Sequence, residues 1–408
     1  MRSLGDKNVS RPVVAAGSTA RETGIPAGGT VAEMDGGYRR NPLRVHEDRK
    51  HRLNFPRALH GRLPGYAPTP LLDLADLAEE LGVAKLWVKD ESSRLGLHSF
   101  EVLGTSWALY REVLGRLGRR PARWSTVDEL RERIADVGDL HVVAVSDDGF
   151  GPAAARAAAL FGFRCTVYLP ATASEARIAA VQAEGATAVA TGLSWDDAMA
   201  AAAGETGADT VVLSDSSWPG FVDIPMWVTE GYGTVFEEVD DELDARGGTP
   251  PTVVVVPLGT GALAAAAGAY YRVEPGVTAT GAVRRFDADL VLLGAEPSDA
   301  ACFGASAAAG ARRSLPASAP SVLGGLARGL PSPLAWDVVA PTFDGFVGVG
   351  DDEAMAAVAR LRGHGVQASP AGAAAFAGLD AVLAGAEGSN LVRPEARVLV
   401  VCTEGPIP

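Results

Sequence analysis

Lysine is nearly missing from this chain: of 408 residues only Lys7, Lys50, Lys85 and Lys89 are lysines, against 32 arginines (36 basic residues less 4). Chemistry that needs a primary amine from the protein, such as an imine to a carbonyl compound, has few places to go. Cysteine is just as scarce. Cys165, Cys302 and Cys402 lie far apart, and no metal-ligand spacing joins them to His46, His51, His60, His98, His141 or His364. That pattern speaks against a disulfide framework and against a bound metal, and it fits a reducing compartment. Positive charge is also short. A net charge of −14 repels phosphate backbones and anionic lipid, and no basic run is interleaved with aromatics, so neither nucleic acid nor a membrane is an expected partner. The apolar stretch at 12–16 is too short for a signal sequence, and no run reaches membrane-spanning length. We expect a cytoplasmic protein.

What is present is enough chain for two domains sharing an extensive core, with 47% hydrophobic residues. Residues 1–40 mix Gly, Pro, Ser, Thr and charge without periodicity, and read as a flexible arm or a strap over a partner subunit. After that, short β-branched runs alternate with alanine-rich stretches. We place strands at 86–88, 142–145, 166–169, 186–190, 210–213, 253–256, 291–293, 346–349 and 398–401. A helix is predicted over 102–117, where apolar residues recur at 102, 103, 106/107, 109/110, 113/114 and 117. Strand runs without polar alternation, linked by helices, imply parallel sheets covered on both faces and an α/β class. Two sheets fit better than one, because 101–217 holds strand–helix units of its own. We therefore expect a large domain from 41–100 and 218–408 and a small inserted domain at 101–217, with 121–140 and 241–251 as surface excursions.

Several motifs occur in a fixed order. Ala67-Pro68-Thr69-Pro70-Leu71 opens the series, followed by Lys89-Asp90-Glu91-Ser92-Ser93-Arg94 and Phe100-Glu101-Val102-Leu103-Gly104. Ser146-Asp147-Asp148-Gly149-Phe150-Gly151 and Ser214-Asp215-Ser216-Ser217-Trp218-Pro219-Gly220-Phe221 come next, then Gly231-Tyr232-Gly233-Thr234. Gly325-Leu326-Ala327, Gly329, Pro331-Ser332-Pro333-Leu334-Ala335-Trp336 and Thr403-Glu404-Gly405 complete it. In this order, over nearly everything from Tyr66 to the end, the motifs resemble the fold type II pyridoxal-phosphate (PLP) enzymes, the tryptophan synthase β-subunit superfamily. Within it they resemble diaminopropionate ammonia-lyase and its relatives. The resemblance implies a small domain inserted into a larger one, a cofactor between them, and a homodimer.

The departures from that family are as informative as the matches. Where its signature reads Phe-Lys-x-Leu-Gly, this chain has Glu101, and glutamate cannot form an imine. Lys89 closes a strand at a position the family does not use for the cofactor. Where the family carries an asparagine against the oxygen of the cofactor ring, this chain has Phe150, which has no group to offer that oxygen and could fill the volume of the ring. The C-terminal segment Ala368-Ser369-Pro370-Ala371-Gly372-Ala373 lacks the family's glutamate. Two cofactor contacts have thus been replaced together, and we expect no cofactor, PLP being admissible only if held non-covalently.

Other residues keep two readings. Gly259, Thr260, Gly261 and Ala262 follow a valine strand and open a helix, so their N–H groups can cradle a phosphate, as the resemblance implies, or the glycines simply turn the chain. Asp148 and Asp215 match the family's acid/base carboxylates, though Asp is common in caps and turns at such junctions. Glu101 is either a proton carrier grouped with those carboxylates, or a residue suited to the helix dipole. His98, where the lyases usually carry asparagine, is a fourth titratable candidate or an ordinary solvent or core residue. Ser92 and Arg94 bind a substrate carboxylate or staple their loop to the domain. Thr403 stands where a hydroxyl would face the pyridine nitrogen, or ends a strand. We expect a repurposed ammonia-lyase relative that is a PLP-independent lyase, isomerase or cyclase acting on a small molecule, with catalytic Glu101, Asp148, Asp215 and His98. Its rivals are a catalytically silent binding or scaffold protein and a residual lyase with non-covalent PLP.

Overall fold

The computed structural model describes residues 37–44, 56–171, 173–272, 289–316, 321–385 and 390–406. Their strands are β1 (Tyr38–Arg40), β2 (Leu71–Asp73), β3 (Lys85–Asp90), β4 (His141–Val145), β5 (Arg164–Leu169), β6 (Thr187–Ala190), β7 (Thr210–Leu213), β8 (Val253–Pro257), β9 (Val291–Pro297), β10 (Gly345–Val349) and β11 (Arg397–Cys402). A seven-stranded sheet runs β1-β10-β9-β8-β11-β3-β2, and a four-stranded sheet runs β6-β5-β4-β7. Every pairing is parallel except at the two edges of the larger sheet, where β1 and β2 are antiparallel. The strands of the smaller sheet all lie between β3 and β8 in the chain. This is the two-domain, mixed α/β architecture of fold type II, with mostly parallel sheets covered by helices.

The valine run of β8 shows why the sheet is buried on both sides. Successive side chains point to opposite faces. Val254 and Val256 pack with Ala264, Ala265 and Tyr270 on one face, while Val253 and Val255 pack with Leu77, Leu361 and Phe376 on the other. An apolar side chain is needed at every position, and the alternation seen in half-exposed strands is absent.

Each of the nine expected strands falls on one of these elements, and the helix Val102–Leu117 is found where its periodicity puts it. The sequence did not announce β1 or β2. Both are three residues long and sit at sheet edges, where one neighbour suffices and no long β-branched run is required. β1 corrects the arm reading in part, since Tyr38–Arg40 pair with Gly345–Val347 on β10; residues 1–36 lie outside the described residues. The excursion at 121–140 holds an amphipathic helix, Val127–Ile134, which buries Leu130 and Ile134 and is capped by Thr126. The one at 241–251 begins inside the helix Asp223–Ala245.

Two helices set the floor of the site. Val102–Leu117 crosses Asp223–Ala245 at Gly104 and Gly231. A Cβ on Gly231 would lie 2.4 Å from the Leu103 carbonyl oxygen, and one on Gly104 would lie 2.5 Å from the Tyr232 ring. The glycines therefore let backbone meet backbone, at the cost of about 1 kcal/mol each in helix propensity. His60 pins the crossing: its Nε2 donates to the Leu103 carbonyl at 2.9 Å and its Nδ1 accepts from Thr234 Oγ1 at 2.8 Å. Burial of the ring, with the charge of Arg94 adding to it against the Leu103 hydrogen bond, lowers its pKa to about 3. It is a neutral core residue.

Candidate functional site

The parallel strands of both sheets release their chains into one cleft at their carboxyl ends, the usual place for a ligand in α/β proteins. Asp148 follows β4, Asp215 follows β7, the Gly259–Gly261 turn follows β8, and Thr403 and Glu404 follow β11. Glu101, at the start of the helix Val102–Leu117, closes one wall, and Phe100, Phe150 and Tyr232 supply aromatic surface. The open space between these walls is narrow, about 70 Å³.

Glu101 is held in this cleft without being fully satisfied there. Its backbone is already helical (φ −60, ψ −20) and its side chain caps no N–H of the first turn. Oε2 is buried and has no hydrogen-bond partner among the described residues. A Cβ on Gly149 would meet this oxygen at 2.7 Å and the Ser99 Oγ at 2.1 Å, so the glycine is what lets these groups approach the start of the next helix. Burial pushes the Glu101 pKa well above the ordinary carboxylate range, and the charges of Asp148 and Glu404 push the same way, against the Ser99 hydroxyl. The carboxyl is thus set up as a neutral acid. Tyr232 shares this condition. It is almost wholly buried, its ring packs 4.6 Å from that of Phe100, and its hydroxyl has no partner among the described residues. Burial and then Asp215, Glu101 and Asp148 raise its pKa well above 10.

The two aspartates do structural work as well as lining the cleft. Asp148 Oδ1 accepts from the Phe150 N–H at 3.0 Å and from Ser146 Oγ at 2.9 Å, which fastens the start of the helix Phe150–Phe161. Its Oδ2 lies 3.2 Å from Arg328 Nη2. Asp215 Oδ2 accepts from Thr260 Oγ1 at 2.6 Å, tying β7 to the Gly259–Gly261 turn. Burial raises Asp215 to about 6, with Thr260 opposing and the Asp148 charge contributing. Glu404 accepts from Arg177 at 2.8 Å, and burial raises it too.

At the other end of the cleft, Gly261 has φ 95, a left-handed conformation suited to glycine, and a Cβ there would lie 2.3 Å from the Phe303 ring. Behind it begins the helix Ala262–Tyr271, all of whose residues are buried. Gly259, Thr260, Gly261, Ala262 and Thr403 line the cleft as expected from the sequence. Phe150 lines it too, 5% exposed.

Three expected site residues are not brought together with these. Arg94 is fully buried in an ion network. Its guanidinium meets Glu91 at 2.6 and 2.8 Å and Glu238 at 2.7 and 2.8 Å, while Lys89 Nζ lies 2.7 Å from Glu238 and Tyr66 donates to Glu238 at 2.6 Å. Burial alone would raise Glu238, yet Arg94 and Lys89 hold it at about 2. Arg94 is a staple, and so is Lys89, whose remaining bond goes to the Thr69 carbonyl at 2.7 Å. His98 is exposed and reaches the rest only by its carbonyl, which accepts from the Gly405 N–H. Ser92 packs against Gly405 outside the cleft lining. The reason lies in the turn Arg94–Gly96, where Leu95 adopts φ 52 and Gly96 φ 76, which redirects the chain so that Ser99 rather than His98 faces Glu101.

Sequence reasoning missed Tyr232, Glu404, Arg328 and Arg177. Tyr232 stood between two glycines in a helix, an arrangement that signals a close crossing. Arg328 occupied the unassigned place between Ala327 and Gly329, yet it is 7% exposed, bonds Asp147 at 2.8 Å, and lies 4.8 Å over the Trp195 ring.

Comparison with known proteins agrees with the fold. Residues 62–404 match the family described as pyridoxal-phosphate dependent enzyme. Diaminopropionate ammonia-lyase of Escherichia coli strain K12 is 29% identical over 364 residues, covering 86% of this chain and 87% of that protein. The crystal structure of the Escherichia coli diaminopropionate ammonia lyase in complex with D-serine aligns with a TM-score of 0.77 at 26% identity, covering 91% of this chain and 95% of that one. Maize serine racemase aligns at 0.65 with 19% identity over 87% of this chain and 94% of its own, a likeness of fold alone. The named family cofactor does not fit this cleft as an imine. Among the described residues no lysine lines it, the carboxyl of Glu101 stands at the position the resemblance gives to the lysine, and Lys89 is spent on Glu238 and Thr69.

Proposed function

The chain belongs to the pyridoxal-phosphate dependent enzyme family, and we propose that it is a diaminopropionate ammonia-lyase-like member that works without a Schiff base, moving protons between cleft carboxylates and a small molecule. The reaction is of lyase, isomerase or cyclase type. The observation that carries this reading is the buried, unpartnered Glu101 Oε2 beside Asp148. A carboxyl oxygen left without a hydrogen-bond partner costs free energy to bury. A substrate atom that takes its proton repays that cost.

Two kinds of carboxyl in one cleft support a division of roles. Glu101 is the acid. Asp148, ion-paired with Arg328 and hydrogen-bonded by Ser146, is the base on the facing wall, and Asp215, near pH 6, serves the same end from β7. The N–H groups of 259–262, at a helix start, offer a cradle for an anionic part of the substrate. The family binds PLP; here we read any PLP as a non-covalent guest with no part in the proton transfers. Absence of a lysine from the cleft lining among the described residues supports that choice.

The test uses heavy water. Wild type, Glu101→Gln and Asp148→Asn are incubated without added cofactor with a metabolite mixture that includes diaminopropionate and D-serine, the compounds named for the relatives. The wild type is expected to place deuterium in at least one metabolite, and each variant to do so about 10²–10⁴-fold more slowly, the usual worth of acid–base catalysis. Equal labelling by all three proteins overturns the carboxylate roles, and none by the wild type overturns the proposal and leaves a silent binding protein. Labelling that requires added PLP leaves the residual lyase.

A further inference from the structure

The carboxyl groups that line the cleft compete for protons. Glu101, Asp148, Asp215 and Glu404 are all there, and the charge of Asp148 acts on each of the other three. Groups that interact in this way do not all ionise together, and the donors around each one decide where a proton stays. Asp148 meets three donors. Its Oδ1 accepts from Ser146 Oγ and the Phe150 N–H, and its Oδ2 lies 3.2 Å from Arg328 Nη2, so a proton on Oδ2 would compete with the guanidinium for the same oxygen. Glu101 is the reverse case, with an unpartnered Oε2 among the described residues and a pKa raised first by burial and then by Asp148.

Arg328 does not line the cleft, yet it is 7% exposed and grips a residue that does. It comes from the segment between β9 and β10 and reaches the loop after β4. Nη2 lies between Asp147 Oδ1 at 2.8 Å and Asp148 Oδ2 at 3.2 Å, Nη1 is 3.4 Å from the Gly324 carbonyl, and the guanidinium lies 4.8 Å over the Trp195 ring. Burial opposes its charge, but Asp147, Asp148 and Asp215 hold it. Arg94 shows what an arginine kept for the fold looks like here: Nε, Nη1 and Nη2 all have partners, and its carboxylates lie outside the cleft lining. In Arg328 the Nε is buried with no partner among the described residues. The side chain is less than fully satisfied, and what it does reach is the cleft carboxylate.

Resting on the acid–base reading of the cleft, we propose that Arg328 is its positioning residue: from behind the wall it fixes Asp148 as the carboxylate and leaves the proton for which the two groups compete on Glu101. The other groups facing this pair are Asp147, Asp215, Tyr232 and Glu404, the last with Arg177 behind it. Without Arg328 either carboxyl can hold the proton, and acid and base lose their separate identities.

The experiment follows both carboxyls directly. Full-length protein labelled with carbon-13 at the aspartate and glutamate carboxyls is titrated by NMR between pH 4 and 9, and the two signals are identified by their loss in Glu101→Gln and Asp148→Asn. In Arg328→Met the Asp148 midpoint is expected to rise by about one pH unit or more and the Glu101 midpoint to fall. A variant that merely loosened the cleft would lower Glu101 without raising Asp148. Arg328→Lys keeps the charge and is expected to hold both midpoints close to those of the wild type. Arg328→Met combined with Asp147→Asn removes a carboxylate along with the cation, which covers failure of the single variant to fold, and the same opposed shifts are expected. In the heavy-water assay the low-pH limb should rise with Asp148 in Arg328→Met and return in Arg328→Lys. Unchanged midpoints, movement of both in one direction, or equal shifts in the Lys and Met variants overturns the proposal. Opposed shifts in a protein that labels no metabolite uphold the placement of the proton and sink only the acid–base reading, whereas labelling without opposed shifts upholds that reading and removes Arg328 from it.

Discussion

A single side chain, Glu101, decides how this cleft can work. The carboxyl does not cap its helix and its Oε2 finds no partner, so suitability to the helix dipole does not account for its placement. Asp148 is the largest charge acting on it, after burial itself. Asp148→Asn is therefore expected to lower the Glu101 pKa, moving the high-pH limb of any pH–rate profile down, and to lower Asp215 from about 6 in the same direction. A carbon-13 titration of the glutamate carboxyls checks this independently of activity. His60 gives a second prediction of opposite sign to that of a raised acid. Its ring is held neutral down to about pH 3, whereas in the unfolded chain it takes up a proton near 6.5. Below 6.5 the unfolded state binds the extra proton, so stability contributed by this residue is present above pH 6.5 and is lost at up to about 1.4 kcal/mol per pH unit as pH falls toward 3. Urea unfolding of the wild type and His60→Gln from pH 7 to 4 should show a shallower pH dependence in the variant.

Among the elements, strands and the leading helix were legible because burial on both faces writes a continuous apolar run, and a helix writes its 3.6 period. Cleft residues were legible when they sat just past a strand end, as Asp148, Asp215, 259–262 and Thr403 do. Residues inside an irregular loop were not. His98, Ser92 and Arg94 precede Glu101 by no more than nine residues, as Ser99 does by two, but the left-handed Leu95 decides which of them turns inward, and nothing in a bulky apolar residue advertises φ 52. Arg328 and Arg177 were hidden for another reason: each reaches a carboxylate from a distant segment. The Arg94 network has its own test. Arg94→Met leaves Glu91 and Glu238 buried with a single cation, Lys89, and is expected to cost about 3–5 kcal/mol in urea unfolding.

For the molecule as a whole, net charge −14 and the cleft's acidic lining agree in sign, which favours a cationic or zwitterionic ligand over an anionic one. No helix among the described residues is long and apolar enough to cross a membrane. We further propose a homodimer, as the family resemblance implies. Light scattering at micromolar concentration should give about twice the 42.0 kDa chain mass, and a mass of one chain contradicts it. What sets this molecule apart, in the reading proposed above, is that the family's fold works without an imine. Borohydride reduction of the purified protein with excess pyridoxal phosphate, followed by peptide mass mapping, reads that property at the residue concerned. The expected result is a colourless protein with no reduced pyridoxyl group on any cleft peptide or on Lys89. A stoichiometric adduct at Lys89, with the visible absorbance of an imine, would show that the protein still makes one.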